Sequence, residues 1–303
     1  MTMNKPSPMP HPQLPFTQEM AERHARHNNA SIFLLADGAR LMQNRRPDRF
    51  SLEPRFGVSL ALDDPDHDAH AAGPLLFELD WATWCAGSRA QTLEALFVDD
   101  VCSVLVSPMP IQALAHHLRR HLDVTLADGT DMLMRFFDPR VLPFWLAILP
   151  ASHLADLGAA VMEWGFFDHQ RQLCWQAPDE SSGKSGEASF PLEITTQQED
   201  KLMQQCLPYA LLDRLLSDPG SLLDVFPQAE RYECVANSIE KAQSHGFDGM
   251  ADLENFCRLG LEYGFDFDQR APMKRMLVQQ HKPGHVHELM AQFTDDDFKE
   301  MKV

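Results

Sequence analysis

The residues best able to do chemistry together are Arg135, Asp138 and Arg140, inside the stretch MLMRFFDPRVLPFWLAIL that runs from Met132 to Leu149. Met132, Met134 and Phe136 alternate with Leu133, Arg135 and Phe137. That is the period of a strand buried on both faces, so Arg135 carries a charge into an apolar layer and needs a counter-ion. Asp138 is placed to cap a helix, with Pro139 in the first helical position and Arg140 just behind it. An ion-paired strand-to-helix corner, in which Arg135 pairs with Asp138, is the preferred reading of Arg135, Phe137, Asp138, Pro139 and Arg140. The competing reading is a catalytic or ligand site at the end of a strand. It lacks a His, Cys, Ser or second carboxylate close enough in sequence to complete a catalytic set.

Other clusters are weaker. His281, His285 and His287 have a spacing at which two imidazoles could share a metal, but Pro283 and Gly284 interrupt the helical face and no Cys or carboxylate stands near, so no metal is expected. The acidic run Asp63–Asp68 lacks the Gly and Glu that a calcium loop uses, and reads as a solvated loop. Gly183-Lys184-Ser185 ends like a phosphate-binding loop, yet Pro178 stands where its first glycine belongs. Cys174, five residues from His169, lacks a third orienting group and reads as a structural thiol. The chain carries no glycine-rich dinucleotide fingerprint, no G-x-S-x-G elbow and no H-E-x-x-H. Neither a cofactor nor an enzymatic activity is expected.

Charge narrows the partners. Against 26 Lys plus Arg stand 44 Asp plus Glu, a net charge of −18, which disfavours nucleic acid and anionic membrane and favours a basic protein partner. The six cysteines form no C-x-x-C and no short-range framework, as expected of reduced thiols in a cytoplasm. The N-terminal stretch is rich in proline without the apolar core of a signal peptide, and no apolar run is long enough to span a bilayer.

The elements that position these residues follow from periodicity. Thr17 is placed to cap a short polar helix with little to bury. Apolar runs near residues 32, 58, 75, 103, 125 and 134 are expected to build one sheet, parallel or mixed, and Val161–Gln176 could add edge strands. Ser88 and Gln91 make a capping box for a helix over the following residues. Ser107 is placed to cap a helix in which Ile111, Leu114, Ala115, Leu118 and Leu122 fall on one face, while His116, His117, Arg119, Arg120 and His121 form a basic opposite face. Asp128-Gly129 signals a hairpin leading into the Arg135 corner. Beyond the corner the helix starts either at Pro139 or, after a short turn, near Pro143.

The fold class expected is α+β, a mixed α/β sheet domain followed by a smaller all-α C-terminal lobe. Its parts are a proline-rich tail with a short helix over 1–28, the sheet domain over 29–176, a flexible Ser/Gly linker over 177–193 and a helical lobe over 194–303. In the lobe, helices are expected over Gln197–Ser217, Ala229–His245, Met250–Tyr263 and Pro272–Gln280, with a last one from His285 into the acidic tail.

Three of these motifs together resemble a known family. His117-Leu118-Arg119, the Asp128-Gly129 turn and Arg135-Phe136-Phe137-Asp138-Pro139-Arg140 are similar to the "HLR", "DG" and "RFYDPR" elements of the type VI secretion effector adaptors, the Tap or TEC chaperones, including VasW-like proteins. Phe137 departs from the family's tyrosine and removes a hydroxyl. The stretch AQSHGFDGMADLENFCRLGLEYGFDFD resembles the family's helical extension more loosely. The resemblance implies a cytoplasmic, non-enzymatic adaptor that binds a cognate effector toxin, often through the toxin's N-terminal region, and helps to load it onto the VgrG spike. His117, Arg119 and Arg120, with Phe256, Leu259 and Phe265 in the lobe, are the partner-binding candidates. A hydrolase of unknown substrate and a structural component of a secretion baseplate are the alternatives.

Overall fold

Apolar runs rich in Val, Leu, Ile and Phe and closed by Asp, Gly or Pro favour strands covered on both faces. In the structure, a computed structural model describing residues 16–27, 30–43, 52–53, 56–62, 69–84, 87–178, 187–218, 220–279 and 285–302, they give β1 (Ser31–Asp37), β2 (Val58–Ser59), β3 (Pro74–Leu79), β4 (Cys102–Ser107), β5 (Asp123–Thr125), β6 (Asp131–Leu133), β7 (Glu163–Phe167), β8 (Leu173–Gln176) and β9 (Leu192–Glu193). The proline-rich opening over 1–15, the acidic run 63–68, residues 183–185, His281 and the Ser88 side chain lie outside the described residues.

Six strands form one sheet in the order β2-β3-β1-β4-β7-β8, antiparallel at every pairing. The runs near 125 and 134 do not join it. They form a hairpin, β5–β6, to which β9 adds in parallel as a separate three-stranded sheet. β7 and β8, from the segment 161–176 expected to add edge strands, extend the large sheet beyond β4. Leu192 and Glu193 thus belong to a sheet, not to the end of a linker.

The chain divides into two units, Met1–Asp168 with Gln172–Thr196, and Gln197–Val303 with His169–Arg171. In the first, the helices are α1 (Phe16–Arg26), α2 (Gly38–Gln43), α3 (Trp81–Trp84), α4 (Gly87–Val98), α5 (Ile111–Arg119), α6 (Leu142–Ile148) and α7 (Ala151–Ala160). Ile32, Leu34, Leu75, Phe77, Leu93, Phe97 and Val104 form one buried cluster. Phe33 and Leu35 are equally buried, so β1 is covered on both faces. Helix α1 was expected to bury little, yet Met20 is inside that cluster, while Arg23 and Arg26 reach Glu163 on β7 at 2.9 and 3.2 Å. In β7, a Cβ at Gly165 would come within 2.8 Å of Val104 and Trp175 side-chain atoms, so only glycine allows this close approach.

The second unit is helical: α8 (Thr196–Leu216), α9 (Gln228–Ser244), α10 (Met250–Tyr263), α11 (Ala271–Gln279), α12 (Val286–Met290) and α13 (Asp295–Met301). The first four match the periodic segments to within a residue or so at their ends. The single terminal helix expected from His285 is instead two, because Thr294 and Asp297 form a capping box that starts a new helix at Asp295. Leu211, Leu215, Val235, Phe247, Phe256, Phe267 and Met301 belong to this unit's own core.

Candidate functional site

The strand entering the Arg135 corner is shorter than its alternation suggests. β6 ends at Leu133, and Met132 and Leu133 are exposed at 41% and 45%, whereas Met134, Phe136 and Phe137 are buried. The chain turns over Phe136–Val141, and α6 begins at Leu142 with Pro143 in its first turn. Asp138 therefore caps no helix at Pro139. It accepts from the Arg140 backbone N–H at 3.0 Å and from the guanidinium of the same residue, Nε to Oδ1 at 3.0 Å and Nη2 to Oδ2 at 2.8 Å. Both side chains are buried. Burial pushes the Asp138 carboxyl up, but the hydrogen bonds and charge of Arg140, helped by Arg40, outweigh it and hold the group below the ordinary carboxylate value.

Arg135 is not buried: its side chain is 53% exposed, and its closest partner is Asp37 at the end of β1, at 2.6 Å, with Asp138 farther at 3.7 Å. Asp37 also accepts from the Arg40 backbone N–H at the start of α2, and Arg40 reaches the Asp99 and Asp100 carbonyls before β4. The expected Arg135–Asp138 pair is thus a larger network. Arg140 neutralises Asp138, and Arg135 ties the corner to the central strand of the sheet. Two buried carboxylates matched by three guanidiniums hold chain segments together and leave no nucleophile or free base among them.

The basic face of α5 is also engaged internally. Arg119 donates from Nε to the Leu60 carbonyl at 2.7 Å, beside a cleft of about 360 Å³ between β2 and α5 lined by Val58, Ser59, His70, Gln112 and His116. His117 Nε2 lies 3.1 Å from Asp156 Oδ2 and 2.9 Å from the Asp156 carbonyl, and Arg120 Nη2 contacts both carboxylate oxygens of Asp156 at 3.0 and 3.1 Å. His121, assigned to the polar face, is buried at 1% exposure, with Nε2 at 3.0 Å from the same Asp156 Oδ2. It follows the last turn of α5, where the chain bends inward to β5. Burial, only partly opposed by Asp156, lowers its pKa to about 4, so the ring is neutral at neutral pH. Asp156 lies on α7, 35 residues on, where no local pattern could have paired it with these histidines.

In the helical unit, Phe256 and Leu259 are core side chains of α10 and cannot meet a partner on the surface; they sit on the face whose periodicity revealed the helix. Phe265 is half-buried, in edge contact with Phe226 at 5.8 Å. His285 and His287 stack at 5.3 Å, and the structure brings them the carboxylate that sequence spacing lacked: Asp252 of α10 accepts from His285 Nδ1 at 2.9 Å and from the Val286 N–H at 2.9 Å. Cys174 donates to Asp168 at 3.6 Å, and burial together with that carboxylate raises its pKa, the opposite of what a nucleophilic thiol needs.

Residues 32–156, from β1 into α7, match the model of a family described as a domain of unknown function (DUF4123). That stretch is similar to this family over less than half of the 303-residue chain. It contains α5, the Asp128-Gly129 hairpin and the whole ionic corner. No curated protein and no solved structure matches the chain. Among the described residues, no helix is long and apolar enough to cross a membrane.

Proposed function

We propose that this chain is a cytoplasmic adaptor that binds one cognate type VI secretion effector, through the effector's N-terminal region, and helps to load it onto the VgrG spike. The observation that carries the reading is the family match over residues 32–156, because it encloses all three motifs by which the sequence resembles effector adaptors. The chemistry of the corner supports a binding role over a catalytic one: its charges are paired with one another, and the thiol nearest to a nucleophile has a raised pKa. A net charge of −18 favours a basic effector segment and disfavours nucleic acid. Co-expression with the toxin encoded beside it is the test. A stable complex in pull-down, recovered with VgrG when all three are present, is the expected result; a full-length pair that never co-purifies overturns the reading.

A further inference from the structure

The junction of α5 and α7 brings together a group of potential ligand atoms. Nε2 of His117, Nε2 of His121 and Oδ2 of Asp156 converge, each imidazole nitrogen lying 3.0 to 3.1 Å from the same oxygen. The edge of a tetrahedron of nitrogen and oxygen ligands around a zinc ion is about 3.3 Å, given bonds of about 2.0–2.1 Å. Both nitrogen–oxygen separations are therefore within a few tenths of an ångström of such an edge, and all three atoms lie within 4.8 Å of one another. His121 is almost fully buried, yet its Nδ1 has no hydrogen-bond partner. Its one polar anchor is therefore Nε2, aimed at Asp156.

The geometry points to a site for one borderline-soft divalent cation of the zinc type, formed by His117, His121 and Asp156, with the Arg120 guanidinium as the competing cation. Imidazole and carboxylate are the donor set such ions prefer over calcium or magnesium. Arg120 Nη2 sits 3.0 Å from His117 Nδ1 and bridges both oxygens of Asp156, so it neutralises the carboxylate and fixes the His117 tautomer with its proton on Nε2. Ligation by Nε2 moves that proton to Nδ1, where it would face another donor, so Arg120 must swing outward as the ion enters. Its side chain is 40% exposed and lies over the Phe190 ring at 4.9 Å, so the swing gives up that contact as well as the carboxylate. Phe190, half-buried and edge-on to His121 at 4.8 Å and to His153 at 5.1 Å, sets an apolar ring beside the group. The bound ion would pin the end of α5 to α7. The second His/Asp group differs in kind: Asp252, His285 and Glu288 are engaged at the start of α12, where Asp252 accepts the Val286 N–H and His285 forms a capping box with Glu288.

Zn²⁺ titration of the untagged full chain by calorimetry, in a His287→Gln background that silences the second group, tests the assignment. One ion per chain is expected. His117→Gln should weaken it, and Arg120→Ala should tighten it, each by about 10- to 100-fold, the scale on which neighbours of a metal tune affinity. Unfolding would expose the chain's six thiols to the ion, so the arginine variant is used only where its circular dichroism melt matches the parent's, and tightening with one ion per chain retained then supports the site even if the histidine variant folds poorly. Absence of binding, or failure of Arg120→Ala to raise the affinity, overturns the site.

Discussion

At the scale of single residues, the two arginines of the corner do different work. Removing Arg140 strands a buried carboxylate whose guanidinium partner is also buried, and breaking such a pair costs about 3–5 kcal/mol. Arg135 is more than half exposed, so solvent screens its bond to Asp37, and Asp37 keeps the Arg40 N–H. Denaturant melts should therefore show Arg140→Ala as severely destabilised and Arg135→Ala as losing about 1 kcal/mol or less. Equal losses would mean that Arg135 carries the corner after all. The sequence announced the cluster by its composition, but it put the pairing in the wrong place. Arg135 and Asp138 are three residues apart, and the eye joins them; the carboxylate nearest to Arg135 is Asp37, 98 residues away on β1. No local periodicity encodes a contact of that span.

At the scale of elements, periodicity was most reliable where contacts are local. Helices α8 to α11 lie almost where their apolar spacing placed them, and the Asp128-Gly129 hairpin formed as its turn chemistry demands, with Gly129 at φ +84°. Strand partnership was less legible, since an apolar run says that a strand is buried but not beside what. The runs near 125 and 134 were therefore assigned to the large sheet. Element docking also gives a pH prediction. Glu163, on β7, is pushed up by burial, but His27 and Arg23 outweigh that and hold it below its ordinary 4.5. A depressed carboxylate contributes stability that is complete above 4.5 and is lost as the pH falls from there through its lowered value. Thermal melts across this acidic range should fall less steeply for Glu163→Gln than for the parent chain. Parallel curves would show that the bridge from α1 to β7 contributes nothing to acid sensitivity.

At the scale of the whole molecule, two buried clusters share no residue: one belongs to the sheet unit, the other to α8–α13 and the segments between them. A unit with its own core is expected to fold by itself. Residues 1–196 and 197–303, expressed separately, should each unfold cooperatively in circular dichroism. A second fragment without a transition would show that its helices depend on the first. The change from strand-and-helix to helix-only pattern was visible in the sequence. The edge of the first unit was not, because β9 is two residues long and its pairing with β5 leaves no trace in composition.

The place of β1 in the sheet also bears on how the chain is made. Among the described strands the earliest in the chain, β1, is an inner one, flanked by β3 and β4, and the last strand of its unit, β9, comes about 160 residues later. At about 5–20 residues per second that interval is roughly 8–30 s, during which β1 first waits for its two neighbours and the hairpin then waits for β9. The nascent protein thus carries bare strand edges throughout this window. A chain with so long a wait between a strand and its partners would need shelter while it is being synthesised.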